Sequence, residues 1–77
     1  MTRVEITIEG KIFKGDYNLT GKHPNEFITV YLDNDGSHKG TQLGNLQPDT
    51  LAKTLLRELV TDYLRREKAK INKETSL

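Results

Sequence analysis

A run of regularly spaced apolar residues near the C-terminal end limits the possible folds of this chain most strongly. Its apolar residues form two adjacent rows with a spacing of four: Leu51, Leu55, Leu59 and Tyr63, and Ala52, Leu56, Val60 and Leu64. This spacing places side chains on one side of an α-helix. Pro48 suits the first helical position, and Asp49 complements the helix dipole in the first turn. No glycine or proline follows Pro48. The pattern predicts one long amphipathic helix over about 48–72 and a loose tail over 73–77.

The residues before the helix predict a small antiparallel sheet over about 2–43. Apolar and polar residues alternate over 2–9, which indicates a half-buried strand. Gly10 allows a tight turn into a second strand over about 12–19. Residues 26–33 are largely β-branched or aromatic and apolar on both faces, which is typical of a central strand. Residues 37–43 contain a glycine and polar side chains, so they form either a weak edge strand or a loop.

The order of these elements predicts an α+β fold, β-β-β(-β)-α, in which one helix packs on a sheet of three or four strands. The 77 residues form a single domain over 1–77. A core this small supplies roughly 3–5 kcal/mol of stability. We expect Ile6, Val30, Leu55 and Leu59 to be buried together. We also expect Leu43 and Leu46 to enter the core where the chain turns toward the helix.

The residue types exclude several kinds of chemistry. The chain has no cysteine, which rules out disulfides, thiolate metal sites and thiol catalysis. His23 and His38 are expected in loops and lack the spacing of metal ligands. Residues 33–36 read DNDG, but the EF-hand register would put Tyr31 and Gln42 where carboxylates are required. We therefore predict no catalytic residue, no metal and no cofactor, and a protein that is not an enzyme.

The location of the protein is predicted from what its sequence lacks. The N-terminus has no apolar signal core, and no run approaches the roughly 18 apolar residues of a membrane span. These features predict a cytoplasmic protein with no membrane partner. The formal net charge of +1 argues neither for nor against a nucleic-acid partner.

The apolar arc of the predicted helix is wider than one sheet needs to cover. Residues 51–64 spread apolar side chains over on the order of 200°, whereas a helix on a sheet needs an arc of about 100°. The margin formed by Leu56, Val60 and Leu64 is expected to face water in a monomer. This predicts a homodimer in which two helices pair through that margin, because two-fold dimers are the commonest oligomers. The loop over 37–47, or a different protein, would cover the same margin instead.

Three residues of the predicted central strand form a second candidate surface. Phe27, Thr29 and Tyr31 lie on the strand face opposite the core. Aromatic side chains on an exposed sheet surface anchor partner proteins or stack on nucleic-acid bases. The structural alternative is that the strand is covered on both sides or that the aromatic side chains pair across strands.

The end of the predicted helix is a third candidate surface, because it is basic. Arg65, Arg66, Lys68 and Lys70 provide cations for phosphate contacts. The same cations also complement the negative end of the helix dipole, and Asp62 is expected to pair with Arg66 across one turn. A solvated helix end is the favoured interpretation.

Taken together, the residues predict a small, non-enzymatic binding protein with a regulatory role, which acts by protein–protein contact on an unidentified partner. It is expected to be a homodimer through its helix. Its size and single domain suggest a phage or mobile-element origin. The first alternative is a nucleic-acid-binding module that uses the sheet face and the basic helix end. The second is a protein that binds or sequesters a small ligand at a subunit boundary.

Overall fold

The structure, a computed structural model, describes the backbone of residues 1–75 and the side chains of residues 1–70. Its elements, in chain order, are β1 (Thr2–Ile8), β2 (Lys11–Thr20), β3 (Phe27–Leu32), β4 (His38–Gln42) and α1 (Pro48–Thr75). The strands form one antiparallel sheet in the order β1-β2-β3-β4. The α+β prediction is confirmed, including the central position of β3, and residues 38–42 form a strand at the sheet edge.

A two-residue turn joins β1 to β2. Glu9 and Gly10 have φ angles of 51° and 81°, and positive φ at both central positions is the signature of a type I′ turn. This turn matches the twist of the two strands, so pairing is continuous from Ile8↔Lys11 back to Thr2↔Tyr17. The short connection is why the first two strands are neighbours in the sheet.

The helix packs on one face of this sheet, and every buried side chain between them is apolar or a tyrosine. Strand alternation points every second residue of β1, β2 and β3 toward the helix. Ile6, Val30, Leu55 and Leu59 are buried in this core as predicted. The whole buried set is Val4, Ile6, Phe13, Tyr17, Ile28, Val30, Leu32, Leu43, Leu51, Ala52, Leu55, Leu56, Leu59 and Val60.

Gly15, in the middle of β2, allows the helix to approach the sheet closely. It lies opposite Val4 on β1 and Leu32 on β3, on the face toward the helix. A Cβ atom at Gly15 would lie 3.0 Å from Cδ1 of Leu56 and would overlap the carbonyl oxygen of Tyr31. The missing side chain therefore makes room for Leu56.

The connection from β4 to the helix differs in part from the prediction. Leu43 is buried, and its backbone N–H donates to the carbonyl of Glu26 at 2.9 Å, which holds the end of β4 beside β3. Leu46 was also expected in the core, but its side chain is 57% exposed. The reason is a turn after Leu43: Gly44 has a φ of 62°, and the N–H of Leu46 donates back to the carbonyl of Leu43.

The C-terminal part of α1 extends past the sheet. The helix begins at Pro48 as predicted and continues to Thr75, beyond the expected end near residue 72. Its 28 residues correspond to about 42 Å, which explains overall dimensions of 53 × 22 × 18 Å. Side chains from Leu64 to Lys70 are exposed. The predicted loose tail over 73–77 is thus helical as far as Thr75, and residues 76 and 77 lie outside the described residues.

Candidate functional site

The face of the sheet that the helix does not cover is made from alternate residues of all four strands. We call it the open face. Residues that pair across antiparallel strands point to the same face, so the register defines its rows. These rows are Arg3–Asp16–Tyr31–His38, Asn18–Thr29–Gly40, Thr20–Phe27–Gln42, Glu5–Lys14 and Thr7–Ile12. Phe27, Thr29 and Tyr31 are brought together on this face, as their alternation predicted.

Phe27 is the more exposed of the two aromatic residues of β3. Its side chain is 41% exposed. A Cβ atom at Gly40 would lie 2.6 Å from Cε1 of Phe27, so the ring lies over the backbone of β4 at this glycine. Thr29 and Tyr31 on the same strand are half-buried. Gly40 therefore supports the Phe27 ring from below and leaves its upper side open to solvent.

Tyr31 contacts a second ring on β4. The ring centroids of Tyr31 and His38 are 5.7 Å apart, with an angle of 35° between the planes, and this is a favourable tilted arrangement for aromatic pairs. The prediction that His38 lies in a loop is wrong, because it is the first residue of β4 and pairs with Tyr31. We call the surface made by Phe27, Thr29, Tyr31 and His38, with Asn18, Thr20 and Gln42 around them, the aromatic patch.

The other half of the open face is charged and internally paired. The Arg3 guanidinium donates to both carboxylate oxygens of Asp33, from Nη1 at 3.1 Å and from Nη2 at 2.7 Å. Its Nη1 also lies 3.3 Å from both carboxylate oxygens of Asp16. The hydrogen bonds to Asp33 are the main cause that raises the pKa of Arg3 above its ordinary value. The charges of β1 and β2 thus offset one another, whereas the aromatic patch on β3 and β4 has no carboxylate, Lys or Arg.

The helix margin predicted to face water is mostly inside the core. Leu56 and Val60 have no exposed surface, and only Leu64 is exposed, by 37%. The expectation that all three face water in a monomer is wrong. It is wrong because the sheet covers a wider arc of the helix than the assumed 100°. Gly15 leaves space for Leu56, and the strands contact both apolar rows of the helix. Leu64 lies one turn beyond, where it lines a surface cavity of about 500 Å³ next to Phe13 and Tyr63.

The basic end of the helix is already partly paired. Nη2 of Arg66 lies 2.7 Å from Oδ2 of Asp35, in the turn between β3 and β4. Nη1 of Arg65 lies 3.8 Å from Oδ1 of Asp62. The pairing of Asp62 with Arg66 was predicted, and Nε of Arg66 donates to the Asp62 backbone carbonyl at 3.3 Å. The Asp62 carboxylate pairs with Arg65 three residues away, while the Arg66 guanidinium pairs with Asp35. Lys68 and Lys70 are exposed. Two of the four basic side chains predicted to contact phosphate, Arg65 and Arg66, are therefore paired with carboxylates of this chain.

Asp35 links the turn between β3 and β4 to the helix. It accepts hydrogen bonds from the Ser37 hydroxyl at 2.6 Å and the Ser37 backbone N–H at 2.9 Å, in addition to the contact with Arg66. These Ser37 hydrogen bonds, followed by the Arg66 charge, hold the pKa of Asp35 below its ordinary value. The turn was predicted from its residue types, but the link to the helix depends on tertiary structure and had no signal in the sequence.

A second link joins the sheet to the start of the helix. The Tyr17 hydroxyl donates to Oδ1 of Asp49 at 2.7 Å, and this hydrogen bond raises the pKa of Tyr17 above its ordinary value, with burial as the second cause. The sequence placed Tyr17 on the inward face and Asp49 in the first helical turn. Together these two placements indicated a contact between Tyr17 and Asp49, and that contact was not predicted.

Within the described residues, no group of three or more His, Cys, Asp or Glu side chains lies close enough to hold a metal ion. No helix in the described part of the chain is long and apolar enough to cross a membrane. No protein family, no curated protein and no solved structure matches this chain. Inferences about its function therefore start from its own surfaces.

Proposed function

We propose that this chain is a non-enzymatic binding protein that holds another protein on the aromatic patch of its open face. The observation that carries this proposal is the Phe27 ring, which is large, apolar and 41% exposed on the open face of the sheet. Aromatic side chains with one apolar side and nearby hydrogen-bonding groups are enriched in the centres of protein interfaces. Tyr31 and His38 supply such groups within the same patch.

The geometry around Phe27 supports a contact role over a purely structural one. The ring lies over Gly40, and coverage of a glycine by a cross-strand aromatic stabilises a sheet by a modest amount, about 0.2–1 kcal/mol. The ring leaves much of its surface in water, which is the arrangement of a side chain that becomes buried when a partner binds.

The charge distribution supports a protein partner over a nucleic acid. Affinity for a phosphate backbone depends on cations along the contact surface, and the aromatic patch has no Lys or Arg. Arg65 and Arg66 are paired with Asp62 and Asp35. The basic end also belongs to the helix, which packs on the opposite face of the sheet, so the two surfaces point in different directions. The complementary partner is a protein surface with apolar and hydrogen-bonding groups and little net charge.

The other predicted properties have less support. A regulatory role, a phage or mobile-element origin and a cytoplasmic location stay predictions, and so does the binding of a small ligand. The homodimer also stays a prediction, but Leu56 and Val60 are inside the core of one chain. A second copy therefore needs a surface other than that helix margin.

Affinity capture with matched variants tests the proposal. The tagged wild type, Phe27→Ala and Ile12→Ala would be incubated with lysate of cells that encode the chain, with and without nuclease treatment. Ile12 is a suitable control because it is also on the open face and is 61% exposed, but lies outside the aromatic patch. We expect one protein to be retained by the wild type and by Ile12→Ala and lost with Phe27→Ala. Equal retention by all three, or retention that nuclease abolishes, would contradict the proposal.

A further inference from the structure

The outer edge of β1 is the longest unpaired strand edge in the described residues. The sheet order places β1 and β4 at its two edges. β1 has seven residues, against five in β4. Natural proteins protect edge strands with charged side chains, proline, bulges or inward-pointing charges, and of these β1 has only the exposed charges of Arg3 and Glu5. β1 pairs regularly with β2 along its length, contains no proline and points Val4 and Ile6 inward.

The type I′ turn determines which backbone groups of β1 face outward. In this turn the N–H of Lys11 donates to the carbonyl of Ile8, so Ile8↔Lys11 is a hydrogen-bonded pair. Hydrogen-bonded and non-hydrogen-bonded pairs alternate along antiparallel strands. The N–H and C=O groups of even-numbered residues therefore point to β2, and those of Arg3, Glu5 and Thr7 point away from the sheet.

We propose that two copies of this chain pair through their β1 strands, antiparallel and centred on Val4, so that Arg3 of each copy lies opposite Glu5 of the other. In this register the outward groups of Arg3 and Glu5 form two hydrogen-bonded pairs, which give about four backbone hydrogen bonds between the copies. The two-fold axis is perpendicular to the sheet, and the two sheets become one continuous sheet. This contact goes beyond the proposed partner binding and uses a different surface.

The side chains select this register because the charges alternate across the joined sheet. Within one chain Arg3 pairs with Asp16, and Glu5 pairs with Lys14. Joining the copies gives the row Asp16–Arg3–Glu5–Lys14, in which the last two residues belong to the second copy. Cross-strand pairs of opposite charge are favourable, and like charges directly opposite one another are unfavourable.

The neighbouring registers lack this complementarity. A shift of one residue toward the N-terminus places Arg3 opposite Arg3, and a shift toward the C-terminus places Glu5 opposite Glu5. Shifts that pair odd with even residues would point the apolar side chains of one copy to the wrong face. Val4 lies opposite Val4 at the centre of the favoured register, on the face that the helices cover.

The other edge offers no comparable self-complementarity. β4 is short and contains Gly40, under the Phe27 ring. The lysine of β4, Lys39, is directed to the covered face, where its Nζ lies 3.7 Å from Oε2 of Glu58 on the helix. Pairing through β1 also leaves both aromatic patches on the same side of the joined sheet, away from the contact, so one dimer presents two partner sites.

Sedimentation equilibrium with charge-reversed variants tests the pairing. We expect the wild type to be dimeric at high micromolar concentration. Arg3→Glu places two acidic residues opposite each other, and Glu5→Arg places two basic residues opposite each other, so each variant alone should be monomeric. An equimolar mixture of the two should dimerise, because the new acidic side chain of one variant then faces the new basic side chain of the other. The same charge change on the exposed helix, Glu67→Arg, is the control and should stay dimeric.

Circular dichroism would first establish that each variant is folded. Glu5→Arg leaves the contacts of Arg3 with Asp16 and Asp33 in place, so it decides the question alone if Arg3→Glu does not fold. Roughly a tenfold or larger weakening of the dimer by Glu5→Arg supports the proposal. A monomeric wild type, a Glu5→Arg dimer as tight as that of the wild type, or a mixture of two folded variants that stays monomeric would overturn it.

Discussion

The two faces of the sheet are made from alternate residues of the same four strands, and they are filled in opposite ways. On the covered face, Ile28, Val30 and Leu32 are almost completely buried under the helix. On the open face, the intervening residues Phe27 and Tyr31 remain in contact with water or are only half-buried. The covered face carries the hydrophobic stabilisation of a small domain, so its side chains are constrained by packing.

This contrast between the two faces indicates which residues are free to serve a function. A side chain of the open face contributes little to the core, so its type is set by solubility or by contact with a partner. The charged residues on β1 and β2 fit the first role, and Arg3 and Glu5 on the edge strand also fit contact with a second copy. The aromatic residues on β3 fit the second. We therefore expect substitutions on the covered face to change stability, and substitutions on the open face to change binding.

The largest effect is expected from the centre of the covered face. Leu56→Ala removes a side chain with no exposed surface and leaves a cavity, which costs about 2–5 kcal/mol. This is comparable to the whole stability expected for a domain of this size, about 3–5 kcal/mol. Urea denaturation should show a largely unfolded variant. Leu64→Ala, on the same side of the helix but 37% exposed, is the control and should shift the midpoint much less.

The two strand glycines provide the next test, because each lies on a different face. Gly15→Ala would push against the fully buried Leu56 and the backbone of Tyr31, and such overpacking costs about 1–3 kcal/mol. Gly40→Ala would meet the Phe27 ring, which can rotate into solvent, although the carbonyl of Ile28 is also near. Thermal unfolding should rank Gly15→Ala as the more destabilised variant. The opposite ranking would show that the open face is packed as tightly as the covered one.

A smaller effect is expected at the border of the covered face. Tyr17→Phe removes the hydrogen bond to Asp49 and keeps the ring in the core, so the free energy of unfolding should fall by about 1 kcal/mol. Because the folded protein raises the pKa of Tyr17, this contribution is present below the ordinary tyrosine pKa and is lost as the pH rises through the folded value. The wild type should therefore lose stability in alkali more than Tyr17→Phe does, as measured by denaturation at a series of pH values.

The smallest effect is expected in acid, at the link between the β3–β4 turn and the helix. The folded protein lowers the pKa of Asp35, so its contribution to stability is present above the ordinary carboxyl value of about 3.9 and is lost as the pH falls through the folded value. Asp35→Asn should be less stable than the wild type at neutral pH, and the difference should shrink below that range. A difference that is constant with pH would show that the Asp35 charge does not matter.

Much of the fold could be predicted from the sequence, because it follows from local patterns. The spacing of Leu51, Leu55 and Leu59 indicated the helix, and alternation in β1 indicated a half-buried strand. The depth of the helix in the sheet could not be predicted, since it depends on how Gly15 and Leu56, which are far apart in the sequence, meet in the fold. That is why Leu56 and Val60 were expected at the surface and are in the core.

The candidate site was predictable only as a set of residues on one strand. Alternation alone placed Phe27, Thr29 and Tyr31 on a common face. Their surroundings depend on the register with β4, where Gly40 lies under Phe27 and His38 beside Tyr31. Residues 38–42 have weak strand propensity, and their pairing with β3 is a tertiary effect. The same limit applies to the helix end, where an arginine contacts a carboxylate from a distant part of the chain.

Amide chemical-shift mapping would show directly whether the open face is the surface that binds the partner. The ¹⁵N-labelled chain would be titrated with the protein that the wild type captures. We predict that the largest shift changes fall on β3 and β4, at Phe27, Thr29, Tyr31 and the residues that pair with them, with small changes along the helix. Changes concentrated on Arg65, Arg66, Lys68 and Lys70, with β3 unaffected, would show that the partner binds the basic helix end and not the open face.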